Sequence, residues 1–142
     1  MFDAVIIGAG ASGLVCAIQA ARRGLSVCLL ERNAHPGKKI LQTGNGRCNL
    51  SNVDMQPWHF HGETRGFIEP ALASWGIANL QEFSESLGMP LTALSDGRVF
   101  PHSLQAKTVV RALTNAAERE GVVLVTDCYC KHVTKEADGF TA

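Results

Sequence analysis

No stretch of this sequence is apolar for as long as a bilayer is thick, so no membrane-spanning segment and no membrane partner are expected. A secretory leader is missing too: Met1-Phe2-Asp3 enters an apolar run at once, with no positive region ahead of it, and the expected location is the cytoplasm. Neither sign of charge prevails, 13 Lys plus Arg against 13 Asp plus Glu, which removes the global basic charge that draws proteins to DNA. There is no C-x-x-C pair. The five cysteines, at 16, 28, 48, 128 and 130, are an odd number, so reduced thiols are expected rather than a disulfide framework. Neither an internal repeat nor a linker interrupts the 142 residues, of which 46% are apolar, enough for one domain with its own core.

What is present is organised around Asp3 to Arg32. An apolar strand, Ala4 to Ile7, runs into Gly8-Ala9-Gly10-Ala11-Ser12-Gly13, the G-x-G-x-x-G spacing. Gly8 permits a tight turn, Gly10 lets a pyrophosphate approach the backbone, and Gly13 lets a helix pack on the strand. The helix start offers free N–H groups and a positive dipole end. Leu14, Ala17, Ile18 and Ala21 recur at helical spacing, Gly24 offers a stop, and Val27 to Leu30 suits a buried parallel strand. Cys16 and Cys28 fall in these apolar segments and read as small core residues. Glu31 follows, a carboxylate placed to accept hydrogen bonds from an adenosine ribose. Gly8, Gly10, Ala11, Ser12 and Gly13 are therefore assigned to a pyrophosphate, mostly through backbone, and Glu31 to the ribose. Arg32 belongs either at an adenine or ribose edge or in solvent as a strand-end cation.

Residues 33 to 62 lose this periodicity. Ile40, Leu41 and Leu50 are the apolar anchors expected there. Three glycines with Asn45 allow positive φ, and Lys38, Lys39 and Arg47 add cations, a combination suited to a second phosphate or a ring, or to an ordered surface loop. Residues 64 to 88 look helical, with Phe67, Ile68, Leu72 and Trp75 on one face, Leu80, Phe83 and Leu87 on another, and Gly88 then Pro90 as the stop. Leu91 to Phe100 reads as a hairpin turning at Ser95-Asp96-Gly97. Ser103 is a candidate cap for a helix whose inner face holds Val109, Val110, Leu113, Ala116 and Ala117, ended by Gly121. Val122 to Val125 is a third buried-type strand, parallel to the first two. Asp127 to Val133 is a candidate for a further extended piece, before a turn at Asp138-Gly139.

Pro36-Gly37-Lys38-Lys39, the tetrad Gly46-Arg47-Cys48-Asn49 within Thr43 to Asn52, and Gly97-Arg98-Val99-Phe100-Pro101 together resemble the BaiN/RdsA-like family of NAD(P)/FAD-dependent oxidoreductases, of the glutathione-reductase-type FAD fold. The resemblance runs from Phe2 to Phe140. It implies an α/β, Rossmann-like FAD-binding domain with a parallel sheet and a small β-hairpin insertion. It also implies that residues 1–142 are the N-terminal part of a longer protein, whose substrate domain and C-terminal flavin-contact segment are absent. FAD is the implied cofactor and NAD(P)H the electron donor. An activated double bond is the implied substrate, in a steroid-like small molecule or in an RNA uracil. By the same resemblance, Lys38 or Lys39 reaches toward the cofactor, Gly44, Gly46, Arg47 and Cys48 pass close to the flavin, and Cys130 binds adenine through its backbone.

No catalytic residue is assigned. Hydride chemistry belongs to the flavin, and Cys48, the only thiol in the Gly-rich loop, has no second cysteine for disulfide chemistry; packing or flavin contact is its favoured role over proton donation. Cys128 and Cys130 share a strand face but lack a second ligand pair for zinc, and His59 and His61 lack a completing carboxylate or cysteine, so no metal is expected. Two other readings remain. One is an NAD-binding Rossmann dehydrogenase domain, which leaves the 37–52 loop unexplained. The other is a catalytically inactive fragment that only binds nucleotide.

Overall fold

Short apolar runs separated by glycine turns set the frame. A computed structural model describes residues 1–62 and 66–142. In chain order the elements are β1 (Ala4–Ile7), α1 (Ala11–Ala21), β2 (Val27–Leu30), a pair of short turns (Ile40–Gly46) separated by a kink at Thr43, Gly44 and Asn45, β3 (Ser51–Asn52), a 3-10 turn (Pro57–His59), α2 (Glu69–Ser74), α3 (Ile77–Ser86), β4 (Leu91–Ala93), β5 (Arg98–Pro101), α4 (Ala106–Arg119), β6 (Val123–Val125), β7 (Thr134–Glu136) and β8 (Gly139–Thr141). They fall into two compact units, one of residues 1–41 and 110–142 and one of residues 42–109. Among the described residues no helix is long and apolar enough to cross a membrane.

The first unit has the α/β, Rossmann-like fold expected of the sequence. Its parallel sheet has the order β1-β2-β6, with Ala4 opposite Val27 and Cys28 opposite Val123. In α1, Gly13, Leu14, Ala17 and Ile18 are the buried face, and the chain leaves the helix through Gly24 at φ +84°. Leu14, Ile18 and Leu29 are fully enclosed, each burial worth about 1.5–3 kcal/mol. Cys28 is buried as expected, but Cys16 is exposed, because it sits on the helix face opposite that stripe.

The strands are less enclosed than their apolar runs suggested. The register puts Val5, Ile7, Val123 and Val125 on one sheet face, where they are 45%, 54%, 46% and 38% exposed. Covered-on-one-face sheets and covered-on-both sheets have similar sequences when the strands are three or four residues long. Residues 127–133 form no strand; the extended pair is β7 with β8, an antiparallel hairpin further on.

The second unit is built on an antiparallel sheet in the order β3-β5-β4. The expected hairpin is β4 and β5, closed by a turn in which the Gly97 N–H donates to the Leu94 carbonyl at 2.9 Å, with Gly97 at φ +81°. Phe100 is its fully buried centre. β3 is a strand the sequence did not announce. At two residues, Ser51 and Asn52, it carries no readable alternation, and its pairing to Val99 and Arg98 bridges a long loop.

The helical stretch expected over 64–88 is two helices, α2 and α3, separated at Trp75-Gly76; its first two residues lie outside the described ones. Gly76 caps α3, and its N–H donates to the Asn79 side chain at 3.0 Å. Of the two expected apolar faces, Phe83 and Leu87 are buried, whereas Phe67 and Trp75 are exposed. Gly88 ends α3 at φ +69° as anticipated. Ser103 does not cap α4: its hydroxyl bonds the Thr108 hydroxyl at 2.8 Å, and the helix begins at Ala106. Along α4, Val109, Leu113, Ala116 and Ala117 are buried and Val110 is half-buried.

Candidate nucleotide-binding site

The first unit brings the glycine loop and Glu31 together. Gly8 turns out of β1 at φ +100°, a conformation that L side chains rarely adopt, and its N–H donates to the Leu30 carbonyl at 2.7 Å. Gly13 explains the third glycine. A Cβ there would lie 1.9 Å from the Gly8 carbonyl oxygen, so any side chain would force the helix off the strand. Gly10 is different. It precedes α1 in extended conformation, at φ −81°, and a Cβ would meet no atom within 4 Å. Its missing side chain therefore leaves open space over the helix start. No side chain caps that start, so the first backbone N–H groups of α1, from Ala11 and Ser12 onward, have no side-chain acceptor. Ala11 and Ser12 are exposed.

Glu31 follows β2 and is only 7% exposed. Its own N–H extends the sheet by donating to the Val125 carbonyl at 2.8 Å. One carboxylate oxygen accepts the Ala9 N–H at 2.9 Å, and the other accepts the Asn33 N–H at 2.9 Å and the Asn33 amide. Burial pushes this carboxyl up. The donors of Asn33 and Ala9, with the Arg32 charge, outweigh that and hold it below its ordinary value. The result is a charged acceptor pinned against the loop, with an open helix start beside it. An adenine dinucleotide needs these two features: donors for pyrophosphate and an anionic acceptor for ribose hydroxyls.

The other predicted residues are more scattered. Arg32, Lys38 and Lys39 are exposed, Arg32 directly after the buried Glu31 and the two lysines after the buried Gly37 as their anchor. Gly37 is that anchor for the lysines: its N–H donates to the Ala9 carbonyl at 2.8 Å, and its φ is +72°. Beyond β6 the chain runs back along Glu31, as the Cys128 N–H donates to the Glu31 carbonyl at 2.9 Å and the Asp127 N–H to the Asn33 carbonyl at 3.2 Å. Cys130 follows, half-buried, its thiol directed to the His132 carbonyl at 3.3 Å.

Gly44, Gly46, Arg47 and Cys48 lie in the second unit. Gly44 and Asn45 are consecutive left-handed residues, with φ +54° at both, followed by Gly46 at +78° and Cys48 at +60°. The Cys48 N–H donates to the Thr43 carbonyl at 3.0 Å, closing the loop, and its side chain is 6% exposed. The Arg47 guanidinium sits 5.1 Å from the centre of the Phe100 ring, and Arg98 stands 5.7 Å from it while pairing with Asp96 at 2.7 Å. Of the expected anchors in this region, Ile40 is buried, Leu50 is half-buried and Leu41 is exposed.

A cleft of about 660 Å³ lined by Trp58, Phe60, His61 and Phe67 holds none of the predicted residues. His59 pairs with Asp54, not His61, and among the described residues no three His, Cys, Asp or Glu side chains are placed to hold a metal ion.

Two residues escaped the sequence reading. Asn33 holds Glu31, and only the short separation in sequence hinted at it. Ala9 supplies its N–H from inside a motif in which attention goes to the glycines.

Residues 2–142 match the family model described as HI0933-like protein Rossmann domain. The chain is 41% identical over 137 residues to a 3-dehydro-bile acid delta(4,6)-reductase of Clostridium scindens, covering 95% of this chain and 33% of that protein. It is 31% identical over 140 residues to the ribosomal RNA dihydrouridine synthase of Escherichia coli, covering 99% of this chain and 35% of that protein. It thus spans about a third of the length of each. Among solved structures, the 3-ketosteroid-delta4-(5alpha)-dehydrogenase of Rhodococcus jostii shares the fold at a TM-score of 0.64, with 17% identity over 89% of this chain and 38% of that one.

Proposed function

The chain belongs to the HI0933-like Rossmann-domain family, and from that premise we propose that it holds the adenosine half of FAD in a flavin-dependent oxidoreductase that uses NAD(P)H to reduce an activated double bond. Family membership supports FAD over NAD; the observation that carries the adenosine-binding part is the Glu31 carboxylate, tied to the Ala9 N–H at 2.9 Å beside the uncapped start of α1 and the open space at Gly10. When bound, FAD supplies two-electron transfer between the nicotinamide donor and the substrate. The chain's own residues bind and orient. Backbone N–H groups of Gly10 to Gly13 take the pyrophosphate, and Glu31 takes a ribose hydroxyl. The segment after Cys128, Cys130 included, takes the adenine edge, and Arg32 with Lys38 or Lys39 adds positive charge. Gly44, Gly46 and Arg47 present backbone and a cation to the flavin, while Cys48 packs rather than donating a proton. The double-bond reading draws on both relatives, whose names denote a reductase of double bonds and a maker of a dihydro base. A small cyclic enone and an RNA uracil both fit that class.

Titrating the purified chain with FAD, FMN and NAD, followed by flavin fluorescence and calorimetry, tests the proposal. FAD binds, FMN binds more weakly, and Glu31→Ala removes the difference. A chain that takes NAD and ignores FAD overturns it in favour of a nicotinamide dehydrogenase domain.

A further inference from the structure

The proposed site leaves one polar side chain without a part in it. Asn33 lies two residues beyond Glu31, half-buried past the end of β2. Both of its nitrogens are spent on the same carboxylate oxygen of Glu31, the backbone N–H at 2.9 Å and the side-chain amide in a shorter bond. Ala9 holds the other oxygen. Asn33 is itself fixed, because its carbonyl accepts the Asp127 N–H at 3.2 Å while the neighbouring Cys128 N–H bonds the Glu31 carbonyl at 2.9 Å. A carboxylate accepts about four hydrogen bonds. Three donors already occupy Glu31 in the free chain, so its remaining acceptor capacity has one orientation. A glutamate free to rotate would lose that freedom only on binding ligand, at a cost in affinity.

We propose that Asn33 is a positioning residue: its paired donors lock the Glu31 carboxylate in the orientation that accepts a ribose hydroxyl of an adenine dinucleotide, and so set the preference for FAD over FMN. This rests on the FAD reading above. The charged and titratable groups around Glu31 are few. Arg32 adjoins it in sequence, Asp127 and Cys128 stand on the segment bonded to residues 31–33, and the loop and helix start from Gly8 to Leu14 carry none.

The test uses the 142-residue chain with Asn33→Ala, Asn33→Asp and Glu31→Gln. Two readouts are taken: the Glu31 carboxyl titration by carbon-detected NMR without nucleotide, and Kd values for FAD and FMN. Asn33→Ala raises the Glu31 midpoint by about one pH unit and weakens FAD roughly tenfold at neutral pH, with FMN unchanged. Asn33→Asp keeps size and backbone but sets a second carboxylate beside the first. Its FAD affinity is weaker still at pH 8 and recovers as the pH falls and the new carboxyl regains a proton to donate. Should the alanine variant unfold, Asn33→Ser, which keeps a shorter donor, takes its place with an intermediate effect expected. If Glu31→Gln weakens FAD while Asn33→Ala leaves both the titration and FAD binding at wild-type values, Asn33 has no positioning role. If the titration moves but the wild-type chain binds no FAD, the cofactor reading fails and takes the ligand part of the inference with it.

Discussion

Two glycines three residues apart in one motif should respond in opposite ways to the same added methyl group. At Gly13 the added carbon would stand 1.9 Å from the Gly8 carbonyl oxygen and 3.1 Å from its carbon. That is about 1.4 Å short of an ordinary C···O contact of about 3.3 Å. The obstacle is backbone, held by the Gly8 N–H bond to Leu30, so it cannot swing aside as a side chain would. Overpacking of this kind costs roughly 3 kcal/mol or more, and at roughly 3 °C per kcal/mol for a chain this long, Gly13→Ala lowers Tm by about 10 °C. At Gly10 the same carbon meets nothing within 4 Å, and the backbone is already in a region open to alanine. Losing glycine at the helix cap costs about 1 kcal/mol at most. Gly10→Ala therefore melts within about 3 °C of wild type, yet weakens FAD about tenfold or more, because the methyl occupies the space through which a pyrophosphate reaches the backbone. Circular dichroism melts and fluorescence titrations of the two variants decide it. A Gly13→Ala chain that melts like wild type would show that the helix is not seated as closely as 1.9 Å implies. A Gly10→Ala chain that binds FAD normally would remove the loop from the cofactor site.

Other expectations follow from the same contacts. Glu31 is held below its ordinary value of 4.5, so its contribution to stability is complete above that value and is lost as the pH falls through the lower folded-state value. The stability gap between wild type and Glu31→Gln, measured by urea unfolding, is thus present at pH 7 and shrinks as the pH falls below the ordinary carboxylate value; a gap independent of pH would contradict the charged carboxylate. Phe100→Ala, which empties the centre of the second unit and frees Arg47 and Arg98 from their shared ring, costs about 3–5 kcal/mol, read as a loss in denaturant midpoint. Thiol labelling of the native chain modifies the exposed Cys16, while Cys28 and Cys48 react only after unfolding, and burial that pushes the Cys28 thiol up slows it further. Rapid native-state labelling of Cys48 would show that the closed loop at Thr43 to Cys48 opens.

Much of the first unit was legible because its determinants are local. The turn at Gly8, the helix face of Leu14, Ala17 and Ile18, the stop at Gly24 and the acid after β2 each depend on residues a few positions apart, where backbone freedom and side-chain period act directly. The hairpin at 91–101 was readable for the same reason. Misreadings arose where the outcome depends on neighbours distant in sequence. Cys16 read as core because its stretch is apolar all round, and only packing chose the buried side. Ser103 had the right residue type for a cap, but the helix start shifted to Ala106.

The sequence alone determined a strand–glycine–helix–strand–acid unit, since steric limits at Gly8 and Gly13 and an apolar period of 3.6 leave few other conformations for those residues. Tertiary structure decided what holds the acid. Glu31 is gripped by Ala9, 22 residues away, and by Asn33, whose carbonyl is tied to Asp127 across most of the chain. Pairings over such distances depend on loop closure and sheet register, which no local residue preference encodes. The fingerprint in the sequence is therefore a set of local turns followed by an acid, and the folded chain fixes that acid as an oriented carboxylate against the glycine loop.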